Sequence, residues 1–253
     1  MPHSPVMRAL LLAAGRGERM RPLSDHLPKP LLELAGKPLI VWQIEALARA
    51  GIADLVINLG WQGQRIADAL GDGARWGVRL AYSREPEQAW ETGGAVATAL
   101  PLLGGAQAPP FAVLSADIHT DFDYSRLFAA QARIAADARA TSAHFVLVDN
   151  PPHHPQGDMA LGADGRVQRH GRLLNYGNIA VFDAALFADR PARQPWKLFP
   201  WLYAQVEAGR VSGEHWRGRW FNIGTPQQLA EVDALLRASR AGAGAVRIPP
   251  PRG

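Results

Sequence analysis

The sequence predicts an α/β fold, with a mostly parallel central sheet, helices on both faces and a smaller lobe. Three observations predict it. Short apolar runs of strand length alternate with longer amphipathic segments of helical period from Arg8 to Val148. A long polar loop follows the first strand directly, at the end of the sheet where such folds bind ligands. After Asn150 the pattern changes to short Gly-, His- and Asp-rich pieces, which suggests hairpins rather than further strand–helix units.

The first strand is read over Arg8 to Ala13. Its apolar run stops at Gly15 and meets Arg16, Glu18 and Arg19, too short for a bilayer and without a small-residue cleavage pattern. The loop from Gly15 to about Pro30 exceeds ordinary connection lengths, which points to function. A helix near Val41 to Ala50 follows, then a strand Leu55 to Asn58, a helix near Gln62 to Leu70 and a strand near Val78 to Tyr82. Next come a helix Thr92 to Leu100 opening on Gly93-Gly94, a strand Phe111 to Leu114, a long helix Tyr124 to Arg139 and a strand His144 to Val148. Asn150 to about Ala180 forms the smaller lobe, with a turn at Ala163-Asp164-Gly165. Thr225 and Gln228 make a capping box, with Pro226 opening the last helix. A single domain is expected over 1–239, followed by a Gly-, Ala- and Pro-rich tail over 240–253 expected to be disordered.

With 47% hydrophobic and 20% charged residues the chain can bury an ordinary globular core. The absence of cysteine excludes disulfides, thiol catalysis and thiolate metal sites, and fits a cytoplasmic enzyme. The formal charge of +4 favours anionic ligands, but the basic residues are spread and form no dense block. Neither a nucleic-acid nor a membrane partner is expected, and no protein partner is read.

The strongest motif is Leu12-Ala13-Ala14-Gly15-Arg16-Gly17-Glu18-Arg19-Met20-Arg21-Pro22-Leu23, followed by Pro28-Lys29-Pro30-Leu31. Gly15 and Gly17 let backbone N–H groups approach phosphate oxygens, while Arg19 and Lys29 neutralise charge. A dinucleotide fingerprint needs a third small residue where Met20 stands, and a Walker A loop needs a Gly-Lys-Ser/Thr that is absent. Ser115-Ala116-Asp117 closes a purely apolar strand, so Asp117 lies at its carboxyl end with the loop glycines. A lone carboxylate there suits Mg2+, which takes one or two carboxylates plus phosphates and waters. A helix-capping role is the alternative for Asp117. Glu91-Thr92-Gly93-Gly94 places glycines at a helix start, where free N–H groups can meet a phosphate or a sugar hydroxyl, or Glu91 and Thr92 can serve as caps.

These motifs resemble those of the sugar-1-phosphate nucleotidyltransferases, whose signature is a Gly-x-Gly-x-Arg loop ending in Pro-Lys-Pro. The resemblance implies a Rossmann-like nucleotidyltransferase fold, Mg2+, and attack of a sugar 1-phosphate oxygen on the α-phosphorus of a nucleoside triphosphate. It implies nucleotide binding by Ala13, Ala14, Gly15, Gly17, Glu91 and Gly93, with Arg19 and Lys29 as catalytic cations. It also implies a second metal ligand before the Gly224-Thr225-Pro226 turn, where this chain has Asn222 instead of an aspartate. That departure removes a negative charge and makes metal entry depend more on the triphosphate.

Glu91-Thr92-Gly93-Gly94, Val148-Asp149-Asn150-Pro151, His153-His154, Gly157-Asp158 and Ser212 to Gly218 narrow the resemblance to the N-acetylmuramate-1-phosphate uridylyltransferases of cell-wall (peptidoglycan) recycling. The similarity spans about Met7 to Leu235 and implies UTP, a lactyl-bearing sugar phosphate, and Thr92, Ser115, Asp158 and Asn178 on the sugar side. Adjacent histidines point in different directions, and no third ligand at zinc spacing follows them. Mannose-1-phosphate guanylyltransferases, glucose-1-phosphate uridylyltransferases and a catalytically silent nucleotide-binding regulatory subunit are the alternatives. The guanylyltransferases resemble this core followed by a β-helix, and no hexapeptide repeat follows Leu235. Lys29, as a loop cation, is expected to lie outside the core.

Overall fold

Strands that are apolar on both faces must be covered on both faces, and the chain does so with helices. The computed structural model describes residues 6–241. β1 (Arg8–Leu12), β2 (Asp54–Leu59), β3 (Arg79–Arg84) and β4 (Phe111–Ser115) run parallel in the spatial order β3-β2-β1-β4. The chain winds outward through β2 and β3, then crosses back to place β4 on the other side of β1. The switch point of such a sheet, where ligands lodge, therefore lies at the carboxyl ends of β1 and β4.

Alternation along β1 divides the core. Ala9 and Leu11 pack with Ile44 and Leu47 of α1 (Leu39–Arg49), Ile66 of α2 (Gly63–Leu70) and Leu127 and Ile134 further on. Leu10 faces the other way, toward Val96 of α3 (Glu91–Ala99) and Leu198, Leu202 and Val206. Each such fully buried aliphatic side chain contributes roughly 1.5–3 kcal/mol. The expected long helix is shorter than the sequence suggests. A 3-10 turn over Tyr124–Arg126 leads into α4 (Leu127–Ala136), which stops where the Asp137 carboxylate accepts from the N–H groups of Arg139 and Ala140, both at 3.0 Å.

After β5 (Ile118–Thr120) and β6 (Ala143–Val148), β7 (Met159–Leu161) and β8 (Val167–Gln168) form the anticipated hairpin, turning through Gly165 at φ 74°. The start of the next strand completes this smaller lobe, and its end joins the main sheet. β9 (Leu173–Phe182) pairs with β7 at its start and runs antiparallel to β4 in the main sheet at its end, because Ile179 to Phe182 are fully buried. Two short helices, α5 (Leu198–Trp201) and α6 (Tyr203–Glu207), cover the second face. β10 (Val211–Trp216) adds parallel to β6, and β11 (Trp220–Asn222) pairs antiparallel with β5.

α7 (Pro226–Ala241) opens on the expected cap, with Thr225 Oγ1 accepting from Gln228 N–H at 3.2 Å and Gln228 Oε1 from Gly224 N–H at 2.8 Å. Its Val232 joins Met20, Leu32, Leu34, Leu39 and Ile223 in a third cluster, and Asp233 accepts from Ala35 N–H at 2.6 Å. The helix carries through residues 240 and 241, assigned above to the tail, and 242–253 lie outside the described residues. No helix among the described residues is long and apolar enough to cross a membrane.

Candidate active site

The carboxyl end of β1 is held by a polar relay. Ala13 N–H donates to Asn58 Oδ1 at 2.6 Å, Asn58 Nδ2 donates to Glu85 Oε1 at 2.7 Å, and Trp90 N–H donates to Glu85 Oε2 at 2.8 Å. The start of the glycine loop is thus tied to the approach to α3. Neither Asn58 nor Glu85 was assigned a role from the sequence, since only the parallel pairing of β1, β2 and β3 brings them together. Burial pushes the Glu85 carboxyl above its ordinary value, with the hydrogen bonds from Trp90 and Asn58 opposing it.

Glu85→Gln sets an amide nitrogen against one of these donors and is expected to cost about 1–2 kcal/mol. The sign of its pH dependence follows from the raised pKa. Native Glu85 keeps its proton to higher pH than the unfolded chain, so its contribution is fully present below the ordinary 4.5 and lost as pH rises through the raised value. Melting curves should show the wild-type advantage over Glu85→Gln shrinking as the pH rises from the ordinary 4.5 through the raised value. A pH-independent difference would contradict this.

The loop folds back on itself. Gly17 takes the left-handed conformation at φ 64°, and a side chain there would place Cβ 3.0 Å from Lys29 Cβ. Ser24 Oγ donates to Gly17 O at 2.8 Å. Trp61 donates its N–H to Ala14 O at 3.2 Å and its indole N–H to Ser24 O at 3.2 Å, while the Arg16 guanidinium lies over its ring at 4.3 Å. Trp61 is therefore a buttress of the loop. Gly15 differs from Gly17, because a Cβ built there meets nothing within 4 Å and its backbone lies outside the left-handed region. The chain's own packing does not require Gly15, so the open space beside it is room for a ligand.

Four polar groups from distant segments converge beside this loop. Lys29, between the buried Pro28 and Pro30, is only 8% exposed, and its Nζ lies 2.5 Å from Asp117 Oδ2. The expectation of a loop cation outside the core is corrected: Gly17, the flanking prolines and Asp117 enclose it. Asp117 O accepts from Ile223 N–H at 3.0 Å, and the pairing of β11 with β5 sets Asn222 opposite Ile118. Arg19 is exposed, makes no ion pair among the described residues, and lies beside Gly224, where an added Cβ would stand 3.2 Å from its Nη2. No group of three or more His, Asp or Glu side chains among the described residues forms a cation cage. One carboxylate and one amide fit a hard cation that completes its shell with phosphate oxygens and water, as Mg2+ does.

Two adjoining cavities of about 220 and 320 Å³ open on the other side and share Tyr176, Asn178 and Phe199. Glu91, Thr92 and Ser115 line the first, and Asp158 and Asn222 line the second. Asn178 sits at φ 56° where the register of β9 against β6 shifts, and this bulge lets it line both spaces. Burial, reinforced by the nearby Asp158, pushes the Tyr176 phenol above its ordinary value.

Two readings, one on the sugar side and one on the nucleotide side, change in detail. The Asp158 carboxylate accepts from Tyr176 N–H at 2.7 Å and lies 3.0 Å from His154 Nε2, so it braces the bulged strand as well as lining the cavity. The Gly93 and Gly94 N–H groups are not free, because both donate to Trp196 O, at 3.1 and 3.2 Å. The Trp196 carbonyl takes the place at the start of α3 that an anion was expected to occupy, and Gly93 does not line either cavity. Glu91 and Thr92 make no capping hydrogen bond, so their side chains are left to the cavity. His153 and His154 diverge as expected, toward Gln228 and Asp158 respectively. The aromatic wall was missed in the sequence, although Trp196, Phe199, Trp201 and Tyr203 are dense enough to have flagged it. Phe199 packs against Tyr176, Phe145 and Tyr203 at centroid distances of 5.8, 6.2 and 5.1 Å.

An open glycine loop, two cations, a carboxylate and a cavity with polar walls, gathered at the switch point of a doubly wound sheet, define a protein of the phosphate-ligand-binding α/β class. Residues 8–170 match the family model described as nucleotidyl transferase, and the chain belongs to that family. It is 44% identical over 235 residues to the N-acetylmuramate alpha-1-phosphate uridylyltransferase of Neisseria meningitidis serogroup B, covering 92% of this chain and 99% of the relative. A protein of the same name from Caulobacter vibrioides is 32% identical, with 90% of this chain and 96% of the relative covered. Among solved structures, a glucose-1-phosphate thymidylyltransferase from Bacillus anthracis, described as putative, superposes with a TM-score of 0.76 at 18% identity, over 92% of this chain and 96% of that one.

Proposed function

We propose that this chain transfers a uridylyl group from UTP to N-acetylmuramate 1-phosphate, giving the nucleotide sugar and pyrophosphate, as a cytoplasmic step of cell-wall recycling. The convergence of Arg19, Lys29, Asp117 and Asn222 at the switch point carries the chemistry. The identity shared with the Neisseria relative along nearly its whole length supports the choice of substrates.

In this reading the backbone of Ala13 to Gly17 receives the nucleotide, with Glu91 beside it and Gly93 acting only through its packing on Trp196. Thr92, Ser115 and Asn178 face the sugar, and Asp158 steadies the strand that presents Asn178. An oxygen of the sugar phosphate bonds to the α-phosphorus in line, and the bond from that phosphorus to the oxygen bridging to the β-phosphorus breaks. The attacking oxygen is already ionised, so no general base is required. Lys29 and Arg19 offset the negative charge gathered there, and positioning supplies much of the rest of the acceleration. Asp117 and Asn222 would hold Mg2+, which neutralises the departing pyrophosphate.

The test is pyrophosphate release with Mg2+ and each of UTP, GTP, CTP, ATP and dTTP against N-acetylmuramate, N-acetylglucosamine, glucose and mannose 1-phosphates. Turnover centred on UTP with N-acetylmuramate 1-phosphate is expected. Turnover with a different pair keeps the chemistry and overturns the substrates, and triphosphate binding without turnover favours a silent regulatory subunit. Asn222→Asp restores a second carboxylate and is expected to shift half-saturation to lower magnesium. An unchanged magnesium curve would place Asn222 outside the metal's coordination shell.

A further inference from the structure

The cavity of about 220 Å³ has one cationic side chain in its lining, Lys197. Lys197 is exposed and makes no hydrogen bond or ion pair through its side chain among the described residues. Its position is fixed all the same. The preceding residue, Trp196, accepts from the N–H groups of Gly93 and Gly94 and donates its own N–H to Trp90 O at 3.2 Å. Phe199, two residues on, is wedged against Tyr176 and Tyr203. Lys197 thus lines the cavity from an anchored backbone, together with Ser115 and Thr92.

The two cavities are not equivalent. The second is lined by Asn222, which belongs with Asp117 and Arg19, and it has no Lys or Arg in its lining. The first contains Lys197 and lacks Asn222. A sugar 1-phosphate carries the attacking phosphate on its anomeric carbon, so that end belongs on the Asn222 side, with the ring against the shared Tyr176, Asn178 and Phe199. A substituent directed away from the phosphate then enters the first cavity. Glu91 also lines that cavity, so an anionic substituent entering there meets one like charge and one opposite charge.

We infer that Lys197 is a specificity-determining residue which binds the lactyl carboxylate of the sugar and distinguishes N-acetylmuramate from N-acetylglucosamine. This rests on the functional reading above and deepens it. The ammonium forms a charge-assisted hydrogen bond to the carboxylate, in a cavity whose lining includes Tyr176 and Phe199.

Equilibrium binding of UDP-N-acetylmuramate and UDP-N-acetylglucosamine to the wild type, Lys197→Met and Lys197→Arg tests this without relying on turnover. Both ligands share the uridine diphosphate and differ by the lactyl group. Lys197→Met preserves the apolar stem and removes the charge, and is expected to narrow the wild-type preference for the muramyl ligand by about thirtyfold. Lys197→Arg should recover most of it. An unchanged ratio of the two dissociation constants overturns the inference. So does an equal loss for both ligands, which would make Lys197 a general phosphate anchor. If the wild type binds neither UDP sugar but does bind another nucleotide sugar, the functional reading fails and the inference falls with it, an outcome visible before any variant is made.

Discussion

Lys29→Ala is expected to lower kcat by about 10²–10³-fold, the loss typical when one group aimed at developing charge is removed. Two contributions separate in the measurement. The first is chemical, since Lys29 is the cation fixed against Asp117 at the switch point. The second is structural, since truncation leaves Asp117 without that partner and opens a gap behind Gly17. A cost of about 1–2 kcal/mol follows, or a melting temperature lower by roughly 2–8 °C. Lys29→Met keeps most of the volume and loses the charge, so it should regain part of the stability and none of the turnover. A Lys29→Met enzyme within about threefold of wild-type kcat would remove Lys29 from the catalytic set.

Gly94→Ala is the second large effect. Its Cβ would overlap the Gln194 carbonyl oxygen and stand 3.0 Å from Trp90 Cβ. Neither is the free end of a flexible side chain, so the chain must move where Gly94 N–H meets Trp196 O. The expected cost is about 2–3 kcal/mol. Because Trp196 to Phe199 form one wall of the cavity, KM for the sugar phosphate should rise more than KM for the triphosphate. Gly15→Ala is the contrasting case, since a methyl group there meets only open space. It should shift the melting point little and act chiefly by weakening triphosphate binding. Equal melting temperatures for Gly94→Ala and the wild type would mean that the contact between α3 and the Trp196 segment is looser than the geometry requires.

Much of the parallel half of the fold was legible because each strand is a short apolar run followed by a loop and an amphipathic helix. The phosphate loop was legible because its composition is unusual and local. β9 was harder to see, since Tyr176-Gly177-Asn178 interrupts its apolar run at the bulge that serves the cavity. The burial of Lys29 could not be read from residue type, because it arises when Asp117 arrives at the end of β4, a strand distant in sequence that pairs with β1. Gly93 and Gly94 were recognised as special, but for a ligand; their partner is Trp196, about a hundred positions later in the chain. The Asn58–Glu85 relay was hidden for the same reason. Each residue looks ordinary until strand pairing sets them side by side.

The hydrogen bond from Ile223 N–H to Asp117 O has a consequence for biosynthesis. Segments near residues 29 and 117 can meet as soon as both have left the ribosome, and their opposite charges neutralise each other while the remainder is translated. Asn222 and Gly224, which complete the surface beside Arg19, emerge only about a hundred residues after Asp117. Contacts this far apart in sequence form late and slowly. A nascent chain therefore carries a charge-compensated, half-built pocket, which is completed only when the strand Trp220–Asn222 docks.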